Sequence, residues 1–238
     1  MLMNLGGAKL LNRGKRKIAR FNVQTKLALF TSGILLTGGA ISFFALSKGQ
    51  NDSFRMITAV FNSVTARTAG FNTIDIGTLP LSATVMMMML MFIGASPGST
   101  GGGIKTTTAA VLLSSIIAII RGQNRILIFK RRIPFLVLNR ALVVFAVSAI
   151  VVFLTALLLS ITETASFTEI LFESVSAFAT VGLSMGLTGE LSQLGKVIII
   201  ITMLIGRIGI LSLAFAITSG TEQQKARVEY PSESVMIG

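Results

Sequence analysis

The chain has 238 residues, of which 52% are hydrophobic and 13% are charged, and its mean hydropathy is +0.80. Soluble domains have a charged fraction of about 25%, so this composition favours lipid as the solvent. The sequence has no cysteine and no histidine, which excludes disulfides, thiolate metal sites and imidazole-based catalysis, and we expect no enzymatic activity.

The formal net charge of +12 comes largely from basic residues that lie before and between long apolar runs. Nucleic-acid-binding proteins carry such charge on a soluble surface, whereas membrane proteins carry it in cytoplasmic loops. The placement therefore predicts a multi-pass membrane protein with cytoplasmic termini and no nucleic-acid partner. The basic residues before the first run are Lys9, Arg13, Lys15, Arg16, Lys17, Arg20 and Lys26, and those of the middle loop are Arg121, Arg125, Lys130, Arg131, Arg132 and Arg140.

The first apolar run, from about Thr25 to Leu46, is long enough to cross a bilayer, which takes roughly 20 residues. After a polar stretch comes a semi-apolar segment, Phe54 to Ala66, that is too short to cross. It ends in the small and turn-forming residues 68–72, Thr-Ala-Gly-Phe-Asn.

The next apolar run, Leu79 to Ile120, is interrupted by a segment that contains Pro97 and several glycines. These residues cannot continue a regular helix. We predict one long broken helix whose unwound backbone lies within the membrane, where only protein or a water-filled cavity can satisfy its polar groups.

The second half of the chain repeats this order. A span at about Leu136 to Ile161 precedes a short segment, Phe167 to Phe178, and a last span at about Leu191 to Ser219. Because two spans separate successive basic loops, both short segments must enter and leave the membrane on its outer side, which makes them re-entrant. The expected divisions are a cytoplasmic basic segment (1–24), a first span–pore–span repeat with a broken second span (25–121), a cytoplasmic basic loop (122–135), a second repeat (136–219) and a cytoplasmic tail (220–238).

The two halves also match in sequence. Residues 61–66, Phe-Asn-Ser-Val-Thr-Ala, align with residues 172–177, Phe-Glu-Ser-Val-Ser-Ala, and after one inserted residue 68–72 align with 180–184. The offset that aligns 68–72 with 180–184 also aligns 91–94, Met-Phe-Ile-Gly, with 203–206, Met-Leu-Ile-Gly. Both units have the same predicted orientation, so they are parallel repeats.

This layout suits a cation pathway. A short helix that enters from outside directs the negative end of its dipole toward the membrane centre, and the following Thr-x-Gly can direct carbonyls at a dehydrated ion. Gly70 and Gly182 supply the backbone freedom that such loops need. A ring of carbonyls generally takes four loops, so two units would form half of a pore.

These residues resemble the C-terminal half of the ion-translocating subunit of the Trk/Ktr/HKT superfamily of potassium transporters. The resemblance implies an all-α membrane fold with four spans and two re-entrant pore segments, which is half of a four-repeat K⁺-channel-like fold. It also implies K⁺ transport in a bacterial plasma membrane, a homodimer of the full transport subunit, a cytoplasmic nucleotide-binding regulatory ring of the RCK type, and a complement of two missing N-terminal repeats or a second chain. Whether Na⁺ acts as an activator is left open.

The same resemblance assigns the site residues. K⁺ would bind backbone carbonyls of the selectivity filter, and an intramembrane loop with a nearby arginine would form the gate. The filter residues are Thr68, Ala69, Gly70, Phe71, Asn72, Thr180, Val181, Gly182, Leu183 and Ser184, and the gate residues are Gly98, Ser99, Thr100, Gly101, Gly102, Gly103, Lys105 and Arg207.

Several alternatives remain at this stage. Residues 98–106 nearly match a phosphate-binding loop, but Ile104 interrupts the motif and no strand precedes it. Arg207 either donates to carbonyls of residues 99–103 or extends to the cytoplasmic interface. Glu173 either attracts cations at the outer mouth or pairs locally. The rival functions are an alternating-access cation symporter and a non-conducting half-subunit that pairs with a complementary half.

Overall fold

The structure is a computed structural model that describes residues 22–46, 52–123 and 125–209, and these residues are predominantly helical. A 3₁₀ turn at Ile76–Thr78 precedes α3, and a two-stranded hairpin separates α4 from α5. The helices are α1 (Val23–Leu46), α2 (Asp52–Thr65), α3 (Leu81–Phe92), α4 (Thr106–Ile120), α5 (Phe135–Thr162), α6 (Phe167–Ala179), α7 (Leu187–Glu190) and α8 (Gln193–Ile208), and the strands are β1 (Leu127–Ile128) and β2 (Arg131–Arg132).

Two helices in the described part of the chain are long and apolar enough to cross a bilayer. Helix α1 has 24 residues and α5 has 28, and an 18-residue window within each has a mean hydropathy of 1.8 and 3.0, respectively. Helices α3 and α4 are each shorter, with 12 and 15 residues, and the break between them falls where the sequence predicts it. The predicted last span extends to Ser219, but its part beyond residue 209 lies outside the described residues, as do the segments 1–21 and 220–238.

The short helices α2 and α6 have 14 and 13 residues. At 1.5 Å per residue each is roughly 20 Å long, which is less than the bilayer core of about 30 Å. Helix α6 begins in a capping box, in which the Ser166 hydroxyl accepts from the Glu169 N–H and the Glu169 carboxylate accepts from the Ser166 N–H. It ends at Thr180, whose left-handed backbone turns the chain away from the helix axis.

The interior is built around α6, which is buried along most of its length and packs against α3, α5 and α8. Its Phe172 and Phe178 share one apolar cluster with Met87 and Met91 of α3. Helix α1 packs on α2 through Gly39, where a Cβ atom would lie 2.4 Å from the Ser63 hydroxyl oxygen. The close contact fixes α2 beside the first long helix.

The hairpin between α4 and α5 was not predicted, so the expected all-α class omits one small element. Strands β1 and β2 pair antiparallel, with Leu127 opposite Arg132, and Ile133 N donates to Ile126 O at 3.0 Å. Ile128 is buried in a cluster with Leu27 of α1 and Leu138 of α5. The hairpin is therefore anchored by apolar packing to the ends of the long helices.

Candidate functional site

Two loops with the same backbone pattern follow the short helices α2 and α6. Thr68 and Gly70 have φ values of 69° and 77°, and Thr180 and Gly182 have 52° and 88°. A threonine with positive φ is uncommon, so its recurrence at equivalent positions indicates a conformation that the surroundings impose. We call residues 68–72 the first loop and 180–184 the second loop.

Each loop is held to its own helix by a hydroxyl group. Phe71 N donates to Thr65 Oγ1 at 2.9 Å, and the same hydroxyl donates to Phe71 O. In the second repeat Ser176 Oγ donates to Leu183 O at 2.6 Å. Sequence reasoning did not single out these two side chains, although the repeat alignment pairs them as hydroxyl residues and could have identified them.

The two loops touch each other. A Cβ atom on Gly70 would lie 2.3 Å from Val181 O, and one on Gly182 would lie 3.9 Å from Gly70 Cα. Position 70 therefore requires glycine for two reasons: its φ is positive, and the space beside Val181 O is too small for a Cβ atom. The loops lie side by side at the C-terminal ends of α2 and α6, where the helix dipoles place partial negative charge.

The glycine-rich segment between α3 and α4, residues 98–105, contacts both loops and is called the gate segment here. Gly102 N donates to Thr180 Oγ1 at 2.8 Å, and a Cβ atom on Gly101 would lie 2.8 Å from Thr68 Oγ1. Gly98 has a φ of 82°, and no atom of the described residues lies within 4 Å of a Cβ built there. The segment therefore passes directly against the threonine of each loop.

Basic side chains hold the gate segment by its carbonyl groups. Arg207 Nη1 donates to Thr100 O at 2.5 Å, and Lys105 Nζ donates to Gly101 O. Both side chains line a cavity of about 310 Å³ on the side of the segment that faces α5 and the end of α8. Of the two positions left open for Arg207, the structure has the one in which it contacts residues 99–103.

Arg67 is a residue of this region that sequence reasoning missed. Its Nη2 donates to Gly94 O at 3.1 Å, at the point where α3 gives way to the gate segment, and its Nη1 is buried with no partner among the described residues. The signal was a charge immediately before the first loop, in a stretch, 56–74, that is otherwise uncharged. Arg67 links the end of α2 to the break in the predicted span.

Glu173 is buried behind the second loop, with 4% of its surface exposed. Its Oε1 accepts hydrogen bonds from Ser184 Oγ, from Thr188 N at 3.2 Å and from Thr188 Oγ1 at 2.8 Å. Of the two alternatives for this residue, the structure has local pairing.

The chemistry available at the loops is that of neutral oxygens. Among the described residues no three His, Cys, Asp or Glu side chains cluster so that they could hold a metal ion. A helix precedes the gate segment, where a phosphate-binding loop would follow a strand.

Comparisons with known proteins identify the family of the chain. The TrkH family model, described as a cation transport protein, matches residues 30–227. The Ktr system potassium uptake protein B of Bacillus subtilis is 41% identical over 230 residues, covering 94% of this chain and 51% of the relative. The potassium/sodium uptake protein NtpJ of Enterococcus hirae is 38% identical over 233 residues, covering 93% and 51%. The chain spans about half the length of these relatives.

One solved structure shares the fold. The crystal structure of the potassium transporter TrkH from Vibrio parahaemolyticus matches with a TM-score of 0.69 and 21% identity, covering 84% of this chain and 45% of that chain. At this identity the likeness establishes the fold alone.

Proposed function

Because this chain belongs to the TrkH family of cation transport proteins, which are transporters and not enzymes, we propose that it forms half of a gated K⁺ pathway in a bacterial plasma membrane. The observation that carries the proposal is the pair of touching loops with the same φ pattern, each at the C-terminal end of a short helix.

The proposed filter consists of the first and second loops. Both alternate a left-handed threonine, an intervening residue without positive φ, and a left-handed glycine. Backbone carbonyls of both loops would replace the hydration shell of K⁺, since carbonyl rings act in this way in K⁺ filters. The hydroxyls of Thr65 and Ser176 support this by fixing each loop to its helix.

The proposed gate is the segment 98–105. It lies against Thr68 and Thr180, so ions that leave the loops toward the cytoplasm would meet it first. Lys105 adds a positive charge that repels cations, and Arg207 secures the segment through Thr100 O. Displacement of the segment would open the pathway.

The proposed pathway is incomplete without further repeats. Helix α2 exposes apolar side chains along one face, including Ile57 (70% exposed) and Val64 (48%). The counterpart of Val64 by the repeat alignment is Val175 of α6, which is 5% exposed because α6 packs against α3. Helix α2 thus lacks the cover that α6 has, and we propose that the N-terminal repeats of the longer relatives, on the same chain or a separate one, supply it.

We propose that K⁺ is the transported ion and that Na⁺ acts as an activator or as a second cation. The relatives support this, since one is a potassium uptake protein and another a potassium/sodium uptake protein. The remaining proposals follow the resemblance: parallel span–pore–span repeats at 25–121 and 136–219, cytoplasmic termini, a dimer of the full subunit and a cytoplasmic nucleotide-binding regulatory ring.

Growth of K⁺-uptake-deficient bacteria at low external K⁺ tests the proposal. The chain would be expressed alone, and then beside the N-terminal half of the Bacillus subtilis relative. We expect rescue with the partner, and its loss on Gly182→Asp, which puts a bulky anion at a backbone with φ of 88°. Absence of rescue in both settings, with the protein present in the membrane, would favour a non-conducting half-subunit.

A further inference from the structure

The end of α4, the hairpin and the start of α5 enclose a cleft of about 250 Å³. We call it the hairpin cleft. Its polar lining residues include Gln123, Arg125 and Arg132, and its apolar lining residues include Ile119, Phe135 and Leu138. A groove lined by both cationic and apolar side chains matches an amphiphile with an anionic head.

The charge around this cleft comes from a stretch of sequence without acidic residues. Six basic residues lie between positions 121 and 140, and the sequence has no acidic residue between Asp75 and Glu163. A cluster of this kind next to membrane-crossing helices attracts the anionic lipids of the cytoplasmic leaflet.

The apolar side favours a lipid over a soluble anion. Ile119 and Phe135 are each 71% exposed, and they lie at the ends of the helices that flank the cleft. A free phosphate would use only the arginines and leave these side chains uncovered, whereas an acyl chain would cover them. We propose that the hairpin cleft binds an anionic phospholipid, with Arg125 and Arg132 donating to the phosphodiester and the acyl chain lying along Ile119 and Phe135.

The test uses the full chain purified in a neutral detergent and short-chain phosphatidylglycerol as the probe, with binding measured by native mass spectrometry and thermal shift. Arg125→Gln/Arg132→Gln removes the two cleft charges. The matched control, Arg131→Gln/Arg140→Gln, removes two charges outside the cleft. We expect the cleft variant to weaken binding by about tenfold, since arginine–phosphate bonds are charge-assisted, and the control by about twofold at most.

Three outcomes would overturn the lipid site. Equal weakening in both variants would mean diffuse attraction to the basic surface. Equal binding of phosphatidylcholine would mean adsorption to the apolar side. Competition by inorganic phosphate at the same concentration as the lipid would make this a free-anion site.

A second inference, which rests on the proposed function, concerns Glu173. Its three hydrogen bonds fasten Ser184, the last residue of the second loop, and Thr188, four residues further on. The first loop has no such anchor, because Asn62 occupies the equivalent position and its Nδ2 is buried without a partner among the described residues. We infer that Glu173 is a positioning residue that gives the second loop the larger part in K⁺ over Na⁺ discrimination.

The physical reason lies in the size difference between the two ions. A loop that is free to move inward can contract around the smaller Na⁺, whereas a loop fixed from behind holds its carbonyls at the spacing that suits K⁺. Burial of Glu173 keeps water from competing for the three donors, so that its three hydrogen bonds persist.

Competition of Na⁺ with K⁺ uptake, in cells that express this chain beside the complementary half, tests the inference. Glu173→Ala should lower the K⁺/Na⁺ preference by about tenfold, since hydrogen bonds to charged groups are the stronger ones. Glu173→Gln keeps an acceptor oxygen and should retain most of the preference. Asn62→Ala, the matched change in the first repeat, should leave it unaltered.

The failure of this inference differs from the failure of the proposed function. Absence of K⁺ uptake by the wild-type pair would contradict the function itself. With uptake present, an unchanged preference in Glu173→Ala, or an equal loss in Glu173→Gln, would overturn the positioning role. If Glu173→Ala does not reach the membrane, Thr188→Val removes one of the three donors, and an unchanged preference in that variant would overturn it.

Discussion

Two separate features restrict position 70 to glycine. Its backbone is left-handed, with a φ of 77°, and a Cβ atom built there would lie only 2.3 Å from Val181 O. Gly70→Ala should therefore abolish K⁺ uptake by the assembled transporter, because a methyl group would force the two loops apart. Gly122→Ala is the matched control, since Gly122 also has a positive φ, of 65°, but no atom of the described residues lies within 4 Å of a Cβ built there. Its backbone strain costs about 1 kcal/mol, and uptake should persist. Uptake in both variants would contradict the account of the loops.

Arg207 holds the gate segment through one carbonyl, Thr100 O. Removal of a hydrogen bond from a charged donor costs about 1.5–3 kcal/mol, so Arg207→Ala should free the segment and raise K⁺ flux by about tenfold. Lys196→Ala removes an exposed charge from the same helix and is the control. Tracer flux in vesicles would measure the effect, and unchanged or lower flux in Arg207→Ala at equal abundance would count against a restraining role.

Glu163, just after α5, has a pKa below its usual value of 4.5, chiefly because the Ser192 hydroxyl donates to its carboxylate at 2.6 Å. A lowered pKa in the folded state stabilises the fold above pH about 4.5, and this stabilisation disappears as the pH falls through the folded-state value. Glu163→Gln should therefore lower the melting temperature at pH 7, and the gap to wild type should close toward pH 4. A gap that does not change with pH would contradict this.

At the scale of elements, the helices were the most predictable part. The length of an apolar run such as Leu136 to Ile161 predicts the length of its helix from composition alone. In the structure this helix is α5, at Phe135–Thr162. The break at 94–105 was also foreseeable, because Pro97 and successive glycines cannot continue a helix.

The hairpin and the contacts between loop and gate were not foreseeable in the same way. Phe129 and Lys130 adopt positive φ although neither is a typical turn residue, so no local signal marks the hairpin. The bond from Gly102 N to Thr180 Oγ1 joins residues 78 positions apart, and only the packing of α6 against α3 brings them together. Spacing singles out candidate residues, whereas tertiary packing determines what they touch.

At the scale of the whole molecule, the apolar face of α2 is the surface on which we propose that the N-terminal repeats of the longer relatives dock. Val64→Trp should block association with the complementary half, because a larger side chain overfills an interface. Val143→Trp on α5 is the control, since Val143 is 51% exposed and Val64 is 48% exposed, and lipid would accommodate the ring. Co-purification with a tagged N-terminal half measures the difference. Equal recovery of both variants would place the docking surface elsewhere.

The most direct test of the central claim is K⁺ flux through purified protein in liposomes. The chain would be reconstituted with its complementary half, and K⁺ entry would be compared with Na⁺ entry for wild type and Gly182→Asp. We expect K⁺ flux that exceeds Na⁺ flux, needs both halves and is lost in the variant. Assembled, correctly inserted protein that carries no K⁺, or flux that Gly182→Asp leaves unchanged, would contradict it.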